Sequence, residues 1–522
     1  MRIHEEGGCM YCSVISAGIS GVDAVPVYVE ADVSRGMPGF SIVGYVSSQI
    51  REARDRIRAA LINMDISLPV NRITVNLAPG DLRKEGTGYD LPIAAAVLMA
   101  MGRIEPGALE KTMLLGELRL DGTVGRVNGV LPSVMTAREI GCGTCILPME
   151  NVAEGRVVEG VRVLGIRNLS ELLAYAEGEL PSQPPCSVEK REEAYRVDFA
   201  EMQGQESVKR AALIAAAGFH NILLSGPPGS GKSMAAERIP TILPELTEEE
   251  RLEISRIHSI VGLLPEGEAL VSRRPYRAPH HTITGPALCG GGISPRPGEV
   301  TLAHRGVLFL DEMPEMDPAV LEMLREPLES RRITVSRLGG VCVYPASFLL
   351  AAAMNPCPCG YFPDRSRCRC SPVEIRRYQN RVSQALLDRM DLHCEVQEAT
   401  YQEISSNKKA DMTSAKMRAL VNRAGERQRE RYRGTTIRFN SEIPSGEVRK
   451  YCEMTEDAAQ MMEGAFRHLR LSGRGYFHVI KVARTIADLD EAELISRTHV
   501  GEALCFRSPD RNVMDRYCPG MT

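Results

Sequence analysis

Tryptophan is absent from the 522-residue chain, and phenylalanine occurs only 10 times. A broad aromatic surface for stacking on sugars or bases is therefore not expected. No apolar run reaches the roughly 18 residues of a membrane-spanning helix, and the longest run, residues 91–101, predicts a buried helix. The opening MRIHEEGGCM has two acids and no apolar core, unlike a secretion signal. We expect a cytoplasmic protein without a membrane partner.

An excess of one charge is also missing. The 63 basic and 67 acidic residues leave a net charge of −4, so any surface for nucleic acid must be local. The length predicts three or four domains of about 150 residues each. Without an export signal, the 15 cysteines are expected to be reduced, with metal ligands where they cluster.

Short β-rich and helical runs alternate in the first third of the chain. Residues 25–34 and 72–79 predict strands, as do TMLLGELRL and TCILP. Residues 47–64 predict an amphipathic helix whose apolar face contains Ile50, Ile57, Ala60 and Leu61. Asp90 is expected to cap the helix that follows it. The proline-rich and then charged residues 181–196 have the composition of a linker, so the main domain boundary is placed there.

A phosphate-binding loop is predicted at residues 226–233, GPPGSGKS, between an apolar strand and a helix. Its glycines allow backbone N–H groups to surround a polyphosphate, and the helix N-terminus adds its dipole. Lys232 would reach the β- and γ-phosphates, and Ser233 would hold Mg²⁺. The expected ATP-binding residues are Gly226, Pro227, Pro228, Gly229, Ser230, Gly231, Lys232 and Ser233.

A companion motif follows at GVLFLDEM, where four apolar residues predict a buried parallel strand that ends at Asp311. Asp311 would hold Mg²⁺, and Glu312 would polarise an attacking water. The two motifs together predict ATP hydrolysis rather than binding alone. FLLAAAMNP predicts another buried strand, and Asn355 at its end would orient the water. A turn asparagine before Pro356 is the alternative.

The motifs make the chain resemble the magnesium-chelatase-like AAA+ ATPases of the YifB/ComM group over nearly its whole length. The resemblance is carried by GMPGFSIVGY, NLAPGDLRKEGTGYDLPIA, GELRLDGTVGRVNGVLP, GPPGSGKS, YRAPHHT, RPGEVTLAHRGVLFLDEMPE, NPCPCGY, LLDRMDLH and KVARTIADL. It implies a ring-forming, usually hexameric ATPase. The ComM branch is a DNA branch-migration helicase used in natural transformation.

The same resemblance implies roles for three further residues. Asn355 takes the sensor-1 role, Arg389 is the arginine finger that reaches a neighbouring subunit's ATP, and Arg484 is sensor 2 on a helical lid. A surface or packing guanidinium is the alternative for each arginine. The chain departs from the family pattern at Arg305, where asparagine is expected.

The first domain is similar to the Lon protease fold, with Gly88 at the position of the nucleophilic serine and Leu131 at that of the catalytic lysine. A serine–lysine dyad needs an oxygen nucleophile and a base, and neither residue supplies one. We therefore expect a non-proteolytic module that builds the ring or handles DNA. Thr87 is kept as an alternative nucleophile, although no base of matching spacing is visible.

The fold class expected is multidomain α/β. Along the chain we expect an N-terminal extension (1–12), a Lon-protease-like α+β domain (13–176), a linker (177–196), an AAA+ core with a parallel sheet (197–400), a helical lid (401–510) and a tail (511–522).

Cys357, Cys359, Cys368 and Cys370 form the pattern C-x-C-x₈-C-x-C, which can close a tetrahedral Zn²⁺ site. Core thiols and redox pairs are the alternatives. The pairs Cys9–Cys12 and Cys142–Cys145 lack partners of clear spacing and are predicted to be structural.

Three basic segments are candidates for DNA contact. The first combines arginines around the cysteines with Tyr361, Phe362 and Tyr378; its arginines are Arg365, Arg367, Arg369, Arg376 and Arg377. The second, residues 274–299, is expected as a pore loop, with metal binding by His280 and His281 as the alternative. The third, residues 423–433, is expected to be a solvated, salt-bridged helix.

The function predicted from the sequence is a ring-forming AAA+ motor that moves along DNA, with ATP and Mg²⁺ and possible Zn²⁺ as cofactors. The alternative is a chelatase-like or chaperone-like motor that remodels proteins. A Lon-type protease and a non-hydrolysing nucleotide switch are further alternatives, opposed by Gly88 and Leu131 and by the Asp311–Glu312 pair respectively.

Overall fold

The computed structural model describes residues 10–183, 195–265, 267–292, 295–337, 340–401, 412–469 and 471–507. Most of the expected N-terminal extension and linker, the first residues of the expected lid and the whole expected tail lie outside these ranges. The chain folds as a mixed α/β structure in which two sheets are joined to a C-terminal set of helices.

The N-terminal domain is built on a seven-stranded sheet in the order β3-β4-β2-β1-β5-β8-β9. The β1–β2 and β2–β4 pairs are antiparallel, and the other pairs are parallel. The strands are β1 (Met10–Ser20), β2 (Asp23–Ser34), β3 (Gly39–Val43), β4 (Arg72–Ala78), β5 (Thr112–Leu114), β8 (Thr144–Pro148) and β9 (Arg162–Ile166), beside a small pair β6 (Glu117–Leu118) and β7 (Val124–Gly125). The helices are α1 (Ser48–Asn63), α2 (Asp90–Ala100), α3 (Val130–Glu139), α4 (Val152–Gly155) and α5 (Leu169–Ala176).

The sequence patterns account for these elements. In β2 the buried positions alternate, as expected for a strand that covers a core with one face. All residues of α2 are buried, as its unbroken apolar run indicates. The prediction that Asp90 caps α2 is wrong. Asp90 lies in the first turn, and its carboxylate accepts hydrogen bonds from Arg56 at 2.8 and 2.9 Å and from the N–H of Leu118.

The second sheet has five parallel strands in the order β11-β12-β15-β10-β16. They are β10 (Ile222–Ser225), β11 (Tyr276–Arg277), β12 (Val307–Leu310), β15 (Leu349–Met354) and β16 (Leu392–Glu395), with an antiparallel hairpin of β13 (Arg332–Arg337) and β14 (Gly340–Pro345). The helices of this unit are α6 (Glu206–Gly218), α7 (Lys232–Ile242), α8 (Glu248–Val261), α9 (Gly285–Cys289), α10 (Glu299–Leu302), α11 (Pro318–Glu322), α12 (Arg325–Ser330), α13 (Pro372–Gln379) and α14 (Gln384–Leu387). Because the strands are parallel, the segments that follow β10, β12 and β15 leave from one edge of the sheet.

Part of the segment 274–299, which is expected to form a pore loop, is packed in the domain. Arg274 is buried against Glu250 at 2.9 Å, and β11 pairs with β12 inside the sheet. Leu288 and Cys289 of α9 belong to the apolar core next to β12. Apolar burial and one buried ion pair therefore hold much of this segment in the domain.

The C-terminal helices are α15 (Ser414–Arg431), α16 (Val448–Tyr451), α17 (Glu456–His468), α18 (Gly473–Leu489) and α19 (Arg497–Cys505). They share one apolar core with α6, α7 and β10, so they are not a separately packed unit. Phe219, after α6, stacks on Phe439 with ring centroids 4.8 Å apart. The basic run 423–433 overlaps α15, and Arg423 pairs with Glu491 at 2.8 Å. In the part of the chain that the structure covers, no helix is long and apolar enough to cross a membrane.

The N-terminal domain contacts the C-terminal end of helix α8. The N–H of Gly129 donates to the carbonyl of Ser259 at 2.9 Å, and the N–H of Leu131 donates to the Ser259 hydroxyl at 3.4 Å. The guanidinium of Arg126 also donates to the carbonyl of Leu264. These bonds attach the N-terminal domain to the unit that contains the five-stranded sheet.

On the same helix, Glu253 joins three segments. Its carboxylate accepts from His304 at 3.3 Å and from Arg305 at 2.9 Å, and Arg438 of the C-terminal region lies 3.6 Å away. His304 accepts the N–H of Ser347 at Nδ1, so a neutral ring donates from Nε2. Burial raises the pKa of Glu253, but the bonds from His304 and Arg305 outweigh it and lower the pKa to about 2.

We predict that Glu253→Gln destabilises the protein at neutral pH and that this loss fades in acid. The ionised carboxylate stabilises the fold above the unfolded-state pKa of about 4.3, and that contribution disappears as the pH falls from there toward 2. Denaturant unfolding at pH 7, 5 and 3.5 measures it. Glu463→Gln, in the exposed pair with Arg467, is the control and should show a small effect at every pH. A Glu253→Gln deficit that is equal at all three pH values contradicts the prediction.

Candidate active site

The phosphate-binding loop connects β10 to α7, which begins at Lys232. A side chain at Gly226 would overlap the carbonyl oxygen of Val396, and Gly231 has a φ of +95°, so both positions require glycine. The turn therefore brings backbone N–H groups and the N-terminus of an 11-residue helix to one place. The hydroxyl of Ser230 is buried inside this cradle without a hydrogen-bond partner among the described residues.

The ammonium group of Lys232 lies within the cradle. It donates to the carbonyls of Gly226 at 2.7 Å and Pro227 at 2.8 Å, and to Oδ1 of Asn355 at 3.1 Å. Burial lowers the pKa of Lys232, and the negative charges of Asp311 and Glu312 oppose that shift. The structure thus connects the phosphate-binding loop directly to the end of β15.

Ser233 and Asp311 form the second contact of the site. The Ser233 hydroxyl donates to Oδ2 of Asp311 at 2.6 Å, and Oδ1 of Asp311 accepts the N–H of Glu312 at 2.9 Å. A hydroxyl and a carboxylate side by side are oxygen ligands of the type that Mg²⁺ prefers. Together with the unpartnered Ser230 hydroxyl and the backbone donors, this pair fits a Mg²⁺–nucleotide complex.

Glu312 projects from the same edge with a half-exposed carboxylate and a φ of +48°. Nδ1 of His281 lies 3.3 Å from its Oε2. The sequence indicates His281 only as part of a pore loop or a metal site and gives no signal for its place beside Glu312. The contact arises because β11 and β12 are parallel neighbours whose following segments leave the sheet together. His280 instead contacts Thr282 at 2.9 Å.

Arg389 lies at the opposite edge of this sheet, just before β16 begins. Its guanidinium donates to Oε1 of Glu329 at 2.6 Å and to the carbonyl of Ala385. The phosphate-binding loop follows the carboxyl end of the parallel neighbour β10. Arg389 is therefore directed away from the phosphate site of its own chain.

A cleft of about 460 Å³ surrounds Arg389 and contains a residue that the sequence analysis missed. Arg474, at the start of α18, donates to the same Oε1 of Glu329 as Arg389 does. Asp391 lies in the wall of the cleft; burial raises its pKa, but His478 and His220 outweigh burial and hold it well below its usual range. Only the tertiary fold brings α18 to Arg389, so spacing could not have indicated Arg474.

Arg484 is enclosed among the C-terminal helices. Its guanidinium donates to Asp488 at 3.1 Å and to the carbonyls of Ala492 and Glu493, and its side chain is 2% exposed. The structure does not bring it to Lys232, Asp311 or Glu312. These contacts fit the alternative role of a guanidinium that stabilises packing better than the role of a nucleotide sensor.

The positions compared with a protease dyad lie in the N-terminal domain. The hydroxyl of Thr87 donates to Oε2 of Glu117 at 2.6 Å. A side chain at Gly88 would meet Val127, and Leu131 is fully buried. Gly88 and Leu131 supply neither member of a serine–lysine dyad, and the absence of protease activity stays a prediction.

The thiols of Cys357, Cys359, Cys368 and Cys370 converge after β15, with all four Sγ atoms within 4.8 Å of one another. They are the one group of three or more possible metal-ligating side chains in the described parts of the chain. Burial raises the pKa of Cys359, but the N–H of Tyr361 and the neighbouring thiols lower it to about 6. Cys9 lies outside the described residues; Cys12, Cys142 and Cys145 are buried.

The arginines around this cluster are exposed, but the expected base-stacking rings are not available. Phe362 and Tyr378 are buried, and the guanidinium of Arg367 covers Tyr361 at 3.9 Å from the ring centroid. Burial raises the pKa of Tyr378 to about 12. The surface is therefore cationic rather than aromatic.

Three family models match the chain. Magnesium chelatase, subunit ChlI, matches residues 198–404; subunit ChlI of Mg-chelatase matches residues 29–151; and the ChlI C-terminal model matches residues 411–507.

Similar proteins cover almost the whole chain. The Escherichia coli protein YifB is 41% identical over 94% of this chain and 96% of its own length. Competence protein ComM of Haemophilus influenzae is 39% identical over 95% of this chain and 97% of its own length. The magnesium-chelatase 38 kDa subunit of Rhodobacter capsulatus is 27% identical over 33% of this chain and 54% of its own length.

We predict that Arg484→Met lowers the free energy of unfolding by about 2–4 kcal/mol, because it removes a partner of the buried Asp488 carboxylate. Arg474→Met, at a half-exposed arginine, is the matched control and should change stability by less than about 0.5 kcal/mol. Denaturant unfolding gives both values. If the Arg484→Met protein is stable and binds ATP normally but fails to hydrolyse it, the result would contradict the packing role and support the sensor role.

Proposed function

This chain belongs to the YifB/ComM family of magnesium-chelatase-like AAA+ ATPases, and from that premise we propose that it is an ATP-hydrolysing motor that acts on DNA. The observation that carries the ATPase part is the pair of hydrogen bonds Lys232–Asn355 and Ser233–Asp311, which assembles groups from three strands at one sheet edge. Glu312 lies next to them.

ATP would bind with its phosphates in the loop of residues 226–233. Lys232 would exchange its carbonyl partners for β- and γ-phosphate oxygens, and the Ser230 hydroxyl would gain a partner. Ser233 and Asp311 would hold Mg²⁺, which neutralises phosphate charge when bound. These groups bind and orient the nucleotide; they do not activate the water.

Glu312 is the group that would act on water. Its carboxylate polarises the water that attacks the γ-phosphorus and takes up the proton, while the bond to the β–γ bridging oxygen breaks and ADP and phosphate leave. The side chain of Asn355 would hold the water in line. Since Glu312 now faces His281, this contact has to open before Glu312 can reach the water.

Assembly follows from the position of Arg389. Directed away from its own phosphate site, it can stabilise phosphoryl charge only on a nucleotide held by another subunit. A closed ring of identical chains supplies such a neighbour at every site, and six subunits is the usual number in the family. We place this assembly in the cytoplasm.

Complementation between two inactive variants tests this arrangement. Lys232→Ala lacks nucleotide binding and Arg389→Ala lacks the acting arginine, so each alone should hydrolyse ATP at background rate. In an equal, randomly assembled mixture, about a quarter of the interfaces join an intact loop to an intact Arg389. Recovery of about a quarter of wild-type turnover is expected. A mixture as inactive as its components contradicts action between subunits.

DNA as the substrate is supported by the similarity to a competence protein and by local charge. The exposed arginines between residues 365 and 377 give an otherwise slightly acidic chain one concentrated basic surface. Rings are not exposed there for base stacking, so phosphate contact without sequence preference is expected. Branch migration of recombination intermediates is the DNA activity that the resemblance implies.

The test is ATP turnover without DNA and with single-stranded DNA, duplex or a four-way junction. We expect stimulation by DNA, greatest with the junction, and its loss in Glu312→Gln while ATP binding is retained. Turnover that ignores every DNA would contradict the DNA role and favour the remodelling of proteins.

Two double variants test whether DNA binding depends on the basic surface itself rather than on net charge. Arg369→Ala with Arg377→Ala should weaken DNA binding and reduce its salt dependence. Arg51→Ala with Arg58→Ala removes the same charge from exposed positions of α1 and should leave DNA binding unchanged. Equal losses in both pairs would show a net-charge effect and contradict a specific surface.

A further inference from the structure

The four clustered thiols have the dimensions of a mononuclear metal site. Sγ of Cys357 lies 3.4 Å from that of Cys359 and 3.8 Å from that of Cys368, and Cys359 and Cys368 are 3.6 Å apart. A tetrahedron with Zn–S bonds of about 2.3 Å has edges of about 3.8 Å. These three separations are close to that edge length and exceed the roughly 2.05 Å of a disulfide, and all four Sγ atoms lie within 4.8 Å of one another.

The chemistry of the cluster also calls for a cation. Four sulfur donors held in one small volume are the ligand set of a structural Zn²⁺ site. The Cys357 sulfur already accepts the N–H of Phe362 at 3.4 Å, as a thiolate ligand would. Sulfur donors in a tetrahedral set favour Zn²⁺ over Mg²⁺.

The loop that carries the thiols lies against the phosphate-binding loop. Cys357 follows Asn355 by two residues, so the first ligand is attached to the segment that receives Lys232. Gly360, between the first two ligands and the last two, packs on the ring of Pro228. A Cβ at Gly360 would lie 2.7 Å from Cγ of Pro228 and closer still to its Cδ. The two loops therefore touch without room for a methyl group.

Helix α13 follows the last ligand and contacts the segment just before the first ligand. The side-chain amide of Gln379 donates to the carbonyl of Pro356 at 3.1 Å. Just after α13, Arg381 pairs with Glu315 at 2.8 Å, three residues beyond Glu312. The small core of this segment, formed by Cys357, Phe362, Cys368 and Ile375, has no larger apolar support. A metal would supply much of its rigidity.

We propose that Cys357, Cys359, Cys368 and Cys370 bind one Zn²⁺ and that this zinc-bound loop supports the phosphate-binding loop through Gly360 and Pro228. Metal occupancy then sets how well the loop of residues 226–233 is ordered and how tightly it binds nucleotide. The consequence for ATP rests on the proposed ATPase function; the metal site and the contact between loops do not.

The first experiment measures metal and loop order together. Elemental analysis of the purified full-length protein should give one zinc per chain, lost after treatment with a chelator and regained with ZnSO₄. Hydrogen exchange of peptides covering residues 226–233 should accelerate in the metal-free protein and slow again on reloading. Cys370→Ser should show both effects, whereas Cys505→Ser, at an exposed thiol outside the cluster, should show neither.

The second experiment separates the contact from the metal. Gly360→Ala should keep its zinc but weaken binding of a fluorescent ATP analogue about tenfold, because the methyl group displaces Pro228. Gly434→Ala is the matched control: its φ of +80° resembles the +86° of Gly360, but nothing lies within 4 Å of the added carbon. It should bind the analogue as the wild type does.

Each result bears on a different part of the proposal. Protein without zinc that cannot be loaded with it, or that carries iron instead, overturns the metal assignment. Bound zinc whose removal leaves exchange of residues 226–233 unchanged overturns the support of the loop. If wild-type protein binds no nucleotide, the proposed ATPase fails, and the exchange measurement still decides whether the metal orders this loop.

Discussion

The parallel direction of five strands is the constraint on which the rest of the structure depends. It places the phosphate-binding loop, Asp311 and Asn355 at one edge of the sheet although they lie far apart along the chain. It also places Arg389, which precedes β16, at the other edge. If the proposed function holds, a single chain has its nucleotide site at one edge of the sheet and, at the opposite edge, a guanidinium that would serve the nucleotide of a neighbouring subunit, which is the layout a ring requires.

Site residues that lie within a strong local pattern could be proposed from the sequence, whereas contacts that depend on the tertiary fold could not. GPPGSGKS and VLFLDE carry strand, turn and ligand chemistry within a few positions, so the sequence located Lys232, Ser233 and Asp311. The contact of His281 with Glu312 depends on the pairing of β11 with β12. For Arg484 the resemblance implies a nucleotide contact, whereas in the structure its side chain is buried in α18 and donates to Asp488.

Helix α8 connects the N-terminal domain and the C-terminal region to the unit that contains the five-stranded sheet. The N-terminal domain is hydrogen-bonded to Ser259 near the C-terminal end of α8. The turn before β12 and the C-terminal region both contact Glu253 in the middle of the helix. The turn before β12 contains Arg305 with a φ of +60°, in place of the expected asparagine. Arginine is a strained choice there, and its ion pair with Glu253 offsets that strain. The side chain of Arg305 thus joins α8 to the turn before β12 within one unit.

Glu329 explains how Arg389 and Arg474 can lie together in an isolated chain. Burial lowers the pKa of Arg389, Glu329 opposes that shift, and Arg474 adds to it. One shared carboxylate balances the two cations. A polyphosphate from a neighbouring subunit carries more charge than Glu329 and offers more acceptor oxygens, so it would draw both guanidinium groups away from the carboxylate. Nucleotide binding in one subunit and the position of α18 in the next would then be linked, because Arg474 belongs to that helix.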